Sequence, residues 1–419
     1  MSVPAAGVFR SLRSFNYRVW AIGSLVSNIG TWIQRTAQDW LVLTELTHHS
    51  ASAVGIVMSL QFGPQLLLLP WTGLAADRLN PRKLLLATQA AQGLLALGLG
   101  ALTIAGWVQL WHVYVFAFLF GCTTAFDAPV RQTFVGELVG DADLPNAVAL
   151  NSSSFNAARM VGPAVAGLVI AAFGTGWAFV INGVSFAAVM ASLLMLRADQ
   201  LHPTERAPRS KGAFVEGLRY VAGRPDLKAI LWMLFLIGTF GLNFAIFIST
   251  MAVKVFHADA RGYGLLSSAM ALGTVSGSLI AAGREPRFGS LVTACFVFGV
   301  GCLLAGAAPN HWWFALMLVV VGLAALSFTN ETNSIMQLTT EPTMRGRVMA
   351  LRLGVALGGT PIGAPLVGWV ADHLGPRWAL GVGGLSGLLA AAAGLWAMSR
   401  RMHRAPGLGL SPRLRRAQQ

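Results

Sequence analysis

Few side chains in this sequence can do chemistry, and most of those that can are embedded in apolar stretches. Asn28, Arg35 and Asp39 are spaced seven and four residues apart, so on a helix they share one face. Arg35 and Asp39 can pair at i,i+4, which reduces the cost of placing either in an apolar medium. Arg159 has no acidic neighbour in its own apolar segment. It needs a partner from elsewhere: a carboxylate, backbone carbonyls or an anionic substrate. Asp127 and Arg131 repeat the i,i+4 pairing, and Glu331 stands beside Asn330 and Asn333. Asp39 and Glu331 are the leading carboxylates for taking up and releasing a proton. Asp127 and Arg131 read better as contacts of a gate. Asn243 can line a cavity or bond a neighbouring helix, and Arg352 reads as structural or gating. No nucleophile–base set is present, the histidines have no metal-ligand spacing, and no phosphate loop occurs in a fitting context. The sequence therefore implies no cofactor and no metal, and it argues against an enzyme and against a pump that burns nucleotide.

The elements that hold these residues must be membrane helices. Of 419 residues, 55% are hydrophobic and only 11% charged, whereas a soluble domain has about 25% charged residues. A spanning helix needs about 20 mostly apolar residues. Twelve such segments occur: Arg18–Leu43, Ala53–Ala76, Leu84–Gly106, Trp111–Ala128, Asn146–Phe173, Trp177–Leu196, Leu227–Val253, Tyr263–Ala282, Ser290–Ala308, Trp312–Thr329, Val348–Ala371 and Arg377–Met398. Ionisable groups in such spans cost at least ~2.5–3.5 kcal/mol near a helix centre, so each one is a functional candidate. Trp20, Trp107, Trp111, Trp177, Trp312 and Trp378 fall at span ends, as an interfacial belt requires. Trp32 and Phe62 lie deeper. Three cysteines, all within apolar runs, cannot form a disulfide framework. The first apolar run is span-length and no cleavage site follows it, so the first helix is expected to stay in the mature protein.

Charge sets the expected orientation. With the N-terminus inside, 24 of the 30 basic residues fall on the cytoplasmic side, and only Lys254, Arg261 and Arg377 on the other. Basic residues are retained on the cytoplasmic face, so both termini are expected there, and the net charge of +14 needs no nucleic acid to explain it. The chain divides into an N-terminal bundle (1–196), a cytoplasmic linker (197–226), a C-terminal bundle (227–399) and a basic tail (400–419). The halves repeat at an offset of 201 residues: Ala147–Asn151 with Val348–Arg352, Gly174–Trp177 with Gly375–Trp378, and Gly121 with Gly322. Duplicated helical halves around a midplane site are the architecture of secondary transporters.

Two motifs sharpen this. After the second span the chain reads Gly73-Leu-Ala-Ala-Asp77-Arg78-Leu-Asn-Pro-Arg82-Lys83. It resembles the loop signature of the major facilitator superfamily, Gly-x-x-x-Asp-Arg-x-Gly-Arg-(Arg/Lys)-(Arg/Lys). Asn80 and Pro81 depart from it. The fifth span carries Gly162-Pro163-Ala-Val-Ala-Gly167, similar to the Gly-Pro-x-x-Gly-Gly signature of that superfamily's proton antiporters, with Ala166 in place of the first paired glycine. Ordinary small-residue packing is the other reading of this stretch. Further stretches, Gln34–Leu43, Pro129–Gln132, Leu144–Asn151, Phe155–Arg159 and Arg345–Met349, resemble the subgroup containing the bacterial enterobactin exporter and the transmembrane secretion effectors.

The resemblance implies an all-α integral membrane protein with the major facilitator fold, twelve transmembrane helices in two six-helix bundles. It further implies a monomer in the bacterial inner membrane, surrounded by lipid, that exports a small amphiphile (a drug, siderophore or secondary metabolite) against protons. A proton-coupled importer on the same fold is the alternative reading, and a membrane scaffold that transports nothing is the third. Asp77, Arg78 and Arg131 are expected to hold the cytoplasmic gate, and Arg159 to orient substrate or a carboxylate.

Overall fold

The computed structural model describes residues 9–140, 142–202, 213–282 and 285–404; at positions 70, 73, 74, 76, 77, 213–215, 281, 282 and 400–404 it describes the backbone alone. The linker residues 203–212 and the tail beyond 404 lie outside the described residues. Every regular element in the described residues is helical. In an apolar solvent a backbone must satisfy its own hydrogen bonds, and a helix does so within one segment.

The first half comprises α1 (Phe15–Trp40, continued by a π-helical turn Leu41–Leu46), α2 (Ala51–Leu67), α3 (Leu69–Arg78), α4 (Pro81–Ile104), α5 (Leu110–Val139), α6 (Leu144–Phe173) and α7 (Thr175–Met195). A short amphipathic helix, α8 (Ala213–Ala222), leads into the second half. There the seventh span is assembled from α9 (Pro225–Leu236), a π-helical turn Ile237–Gly241, α10 (Phe244–Thr250) and a second π-helical turn Met251–Val255. It is followed by α11 (Ala260–Ala282), α12 (Phe288–Gly306), α13 (His311–Thr339), α14 (Pro342–His373) and α15 (Pro376–Arg404).

Ten of these spans are long and apolar enough to cross a membrane. The other two passes are α1 and the α2–α3 pair. Helix α1 has the length, 26 residues, but Asn28, Gln34, Arg35, Gln38 and Asp39 dilute its hydropathy. The second pass is interrupted at Leu68, because Pro70 has no amide hydrogen to continue the ladder. Several helices outrun their expected ends. α5 reaches Val139 and α13 reaches Thr339, and α14 starts at Pro342. Hydropathy marks only the part of a helix that meets lipid, while the backbone ladder runs on until a breaker such as Gly140, at φ +69°.

The helices form two bundles joined by two cross-bundle pairs, α2 with α14 and α6 with α11. These pairs display the internal duplication. A methyl group on Gly167 of α6 would lie 2.6 Å from the Ala260 carbonyl oxygen at the start of α11, and one on Gly368 of α14 would lie 2.5 Å from the Ala51 carbonyl oxygen at the start of α2. Gly167 and Gly368 are 201 residues apart, as are the loop glycines Gly174 and Gly375, whose φ angles are +89° and +103°. Duplicated sequence has thus kept the close approaches and the left-handed turns that only glycine supplies without strain.

The described N- and C-terminal residues lie at one end of the bundles, here the terminal end, and the other is the distal end. Hydrogen bonds between the bundles occur in the distal half and toward the midplane. Asp372, near the end of α14, accepts from the Ala51 and Ser52 amides (2.7 and 2.8 Å) and from the Ser52 and Ser50 hydroxyls (2.7 and 3.2 Å). It also pairs with Lys254 at 2.9 Å. A carboxylate at a helix N-terminus meets free N–H groups and a partial positive charge, so this contact pins α14 to α2. Deeper, Ser59 donates to the Pro361 carbonyl (2.7 Å) and Ser268 to the Met160 carbonyl (2.7 Å).

Candidate transport site

Between the bundles, under the distal seal, α1, α6, α10 and α11 enclose a cavity of about 100 Å³. Its polar lining comprises Arg35, Thr36, Asp39, Arg159, Tyr263 and Ser267, and its apolar lining includes Trp32, Pro163, Phe244 and Met270. Helix α1 delivers Trp32, Arg35, Thr36 and Asp39 from one face because these positions recur at three- and four-residue spacing. Helix α6 can bring Arg159 close because Gly162 gives it room: a methyl there would meet the Trp32 side chain.

Asp39 does not form an ion pair with Arg35 within 4 Å, and the expected i,i+4 bridge is absent among the described residues. Its carboxylate accepts instead from the Tyr263 hydroxyl of α11, at 3.2 Å and across the bundle boundary. Trp40 stacks on the same tyrosine with ring centroids 6.0 Å apart. The Arg35 guanidinium lies over Trp32 (5.1 Å to the ring centroid) and Phe62 (5.6 Å). Arg159 approaches the same Trp32 ring at 5.4 Å. Phe155 meets Trp32 edge-on at 5.8 Å. Of the deep aromatics, Trp32 lines the cavity and Phe62 lies behind Arg35, while Trp20 leaves the expected interfacial belt: it is 1% exposed and packs edge-on against Phe134. It is buried because α1, α5 and α7 converge around it.

Other sequence candidates sit elsewhere. Asn28 is half-buried on α1, nearer the terminal end than Arg35. Asn243 is fully buried at the break between the π-helical turn and α10, where its amide donates to the Thr239 carbonyl at 2.7 Å. It does not line the cavity; its neighbours Phe244 and Ala245 do. Glu331 lies toward the terminal end and accepts from the Ser290 hydroxyl (2.8 Å) and the Arg287 amide (3.2 Å), closing the N-terminus of α12. Asp127 occupies the equivalent region of the first half. It accepts from Thr88, Gln89 and Arg131 at 2.8, 2.7 and 2.9 Å, and all of these partners belong to its own bundle. Arg352 donates to the Thr329 carbonyl at 2.9 Å, again within one bundle.

In the loop motif, the two departures from the signature form a helix start. Asn80 caps α4 by accepting from the Lys83 amide (3.2 Å), and Pro81 occupies the first turn. Arg82 donates to the Leu194 carbonyl at the end of α7 (3.0 Å), and Arg78 is exposed at the end of α3. The side chain of Asp77, and with it the expected gate contact, lies outside the described residues. The Gly162–Pro163–Gly167 stretch packs α6 against α1 and α11, and a methyl on Gly264 of α11 would collide with the Pro163 carbonyl. Sequence reading missed Tyr263 and Asp372. Tyr263 stands at a span end like an interfacial aromatic, and Asp372 one residue past the expected end of its span.

Residues 6–408 match the family described as transmembrane secretion effector. The chain belongs to that family. It is a major facilitator superfamily transporter and not an enzyme. Among curated relatives, it is 25% identical over 352 residues to a staphyloferrin A transporter of Staphylococcus aureus, spanning 83% of this chain and 87% of that one. It is 26% identical over 370 residues to the multidrug efflux pump Tap of Mycolicibacterium fortuitum, spanning 84% and 88%. Among solved structures, a bacterial homologue of the human lysosomal transporter Spinster, in an inward-facing and unoccupied conformation, superposes with a TM-score of 0.73 at 15% identity, covering 95% of this chain and 98% of that one. The fold is therefore that of the major facilitator transporters.

Proposed function

We propose that this transporter is a proton-coupled antiporter that exports a small amphiphilic compound by alternating access. The observation that carries this reading is the Asp39–Tyr263 hydrogen bond. Among the described residues Asp39 is the single carboxylate of the cavity lining, and its partner belongs to the opposite bundle. A proton that binds this carboxylate removes its charge and weakens the bond across the bundles. Proton occupancy and bundle closure are then one equilibrium, which is what coupling requires.

The excess of basic residues at the terminal end supports a cytoplasmic position for that end, with the bundles in the inner membrane of a bacterium. The distal seal at Asp372 then faces outward, and the conformation is closed to the outside. In this state Asp39 is held as a carboxylate by Tyr263, and cargo reaches the site from the cytoplasm. When the bundles rock, the bond to Tyr263 breaks and the site opens outward; cargo leaves, and Asp39 takes up a proton there. The protonated carrier returns and discharges the proton inside. Export also fits the efflux pump among the relatives. The transporter acts as a monomer, because each chain contains both bundles and the whole site.

Inverted membrane vesicles with an acid interior test this reading. They should accumulate an amphiphilic dye only when the chain is present, and Asp39→Asn should abolish the gradient-driven part. Full gradient-driven accumulation by Asp39→Asn overturns the assignment of the carrier, and accumulation by right-side-out cells in place of vesicles overturns the direction.

A further inference from the structure

Among the described residues the cavity lining holds two guanidinium groups and one carboxylate, and Tyr263 donates to one oxygen of that carboxylate. The two guanidiniums share a single ring, with Arg35 5.1 Å and Arg159 5.4 Å from the Trp32 centroid. A guanidinium carries five N–H donors in one plane, a fork that suits an oxyanion. Among the described residues neither arginine enters an ion pair or donates a hydrogen bond, and the buried Nε of Arg35 has no acceptor. Buried charges are normally paired, and intramembrane arginines are kept where they serve a substrate path. Phe62 and Phe155 extend the aromatic wall around the pair.

We infer that the cargo is an amphiphilic anion with a flat conjugated ring. A carboxylate or similar oxyanion accepts from Arg35 and Arg159, and the ring lies against the aromatic lining, Trp32 and Phe244. This rests on the reading of the cavity as the transport site and names the charge of what it carries. With Asp39 ionised, the three groups leave one positive charge in the cavity, so one anionic charge makes the site neutral.

Two xanthene dyes of like ring and opposite charge, fluorescein and rhodamine 123, decide it on the purified protein by fluorescence anisotropy, with no gradient present. Fluorescein should bind about tenfold or more tighter, the scale of one charge-assisted hydrogen bond. Arg35→Gln and Arg159→Gln should each weaken fluorescein by about tenfold and leave rhodamine 123 equal or tighter. Equal or tighter binding of rhodamine 123 by the wild-type protein overturns the inference, as does failure of fluorescein to bind at all. That comparison needs no variant, so it decides even where a variant does not fold. Gradient-driven export of rhodamine 123 without fluorescein binding defeats this inference alone. Fluorescein binding without gradient-driven movement defeats the antiport reading alone.

Discussion

At the scale of the residue, one hydroxyl and one carboxylate are asked to link a proton to a motion. Tyr263→Phe removes the donor and keeps the ring stacked on Trp40. A hydrogen bond to a charged group is worth about 1.5–3 kcal/mol, so the distal-closed state should lose roughly tenfold or more in population. Spin labels on the distal ends of α1 and α11, read by pulsed electron resonance, should show the longer distance gaining weight. An unchanged distribution would remove Tyr263 from the switch. Asp39→Asn, in contrast, removes the negative charge of the cavity while its amide still accepts from Tyr263, so it should bind an anionic dye at least as tightly as wild type, yet lose its pH dependence of binding. Glu331 provides the internal contrast. Its two hydrogen bonds close the start of α12, so Glu331→Gln should lower stability by about 1 kcal/mol and leave the proton-to-cargo ratio as it was. A lower ratio in that variant would return Glu331 to the proton path.

At the scale of the element, the distal seal consists of one helix end against another. Asp372→Asn loses the charge that binds Lys254 and the start of α2. A cysteine at Ser267, inside the cavity, should then react several-fold faster with a membrane-impermeant maleimide added from outside, in a background where Cys122 is alanine. Equal rates would show that glycine packing alone holds the seal. The elements themselves were legible in sequence, since long apolar runs in lipid have one backbone solution. Their interruptions were only partly so. Pro70 announces the break at Leu68, but nothing in Ile237–Asn243 marks a π-helical turn, because its residues are ordinary for an apolar helix. The site was legible by helix face: Arg35, Asp39 and Arg159 do converge on one cavity. Partners were not. Spacing can place Arg35 and Asp39 on one face, yet it carries no information on which helix of the other bundle offers Asp39 a better-placed donor.

At the scale of the whole molecule, the sign of the cargo changes the energetics of export. One proton moving in against one monoanion moving out transfers two elementary charges in the same electrical sense. A transmembrane potential is worth about 2.3 kcal/mol per charge per 100 mV, so 100 mV supplies about 4.6 kcal/mol to this exchange and half that to exchange with a neutral cargo. Tenfold accumulation requires about 1.4 kcal/mol. In proteoliposomes at equal pH, with a potassium–valinomycin potential negative on the terminal side, the accumulation ratio of an anionic dye should therefore rise about tenfold for every 30 mV, and that of a neutral analogue tenfold for every 60 mV. Asp39→Asn should halve the slope for the anion, since the cargo then carries the only moving charge. Equal slopes for anionic and neutral cargo would mean that a further ion balances the anion. An anion slope unaffected by Asp39→Asn would mean that the proton travels by another route through the bundles.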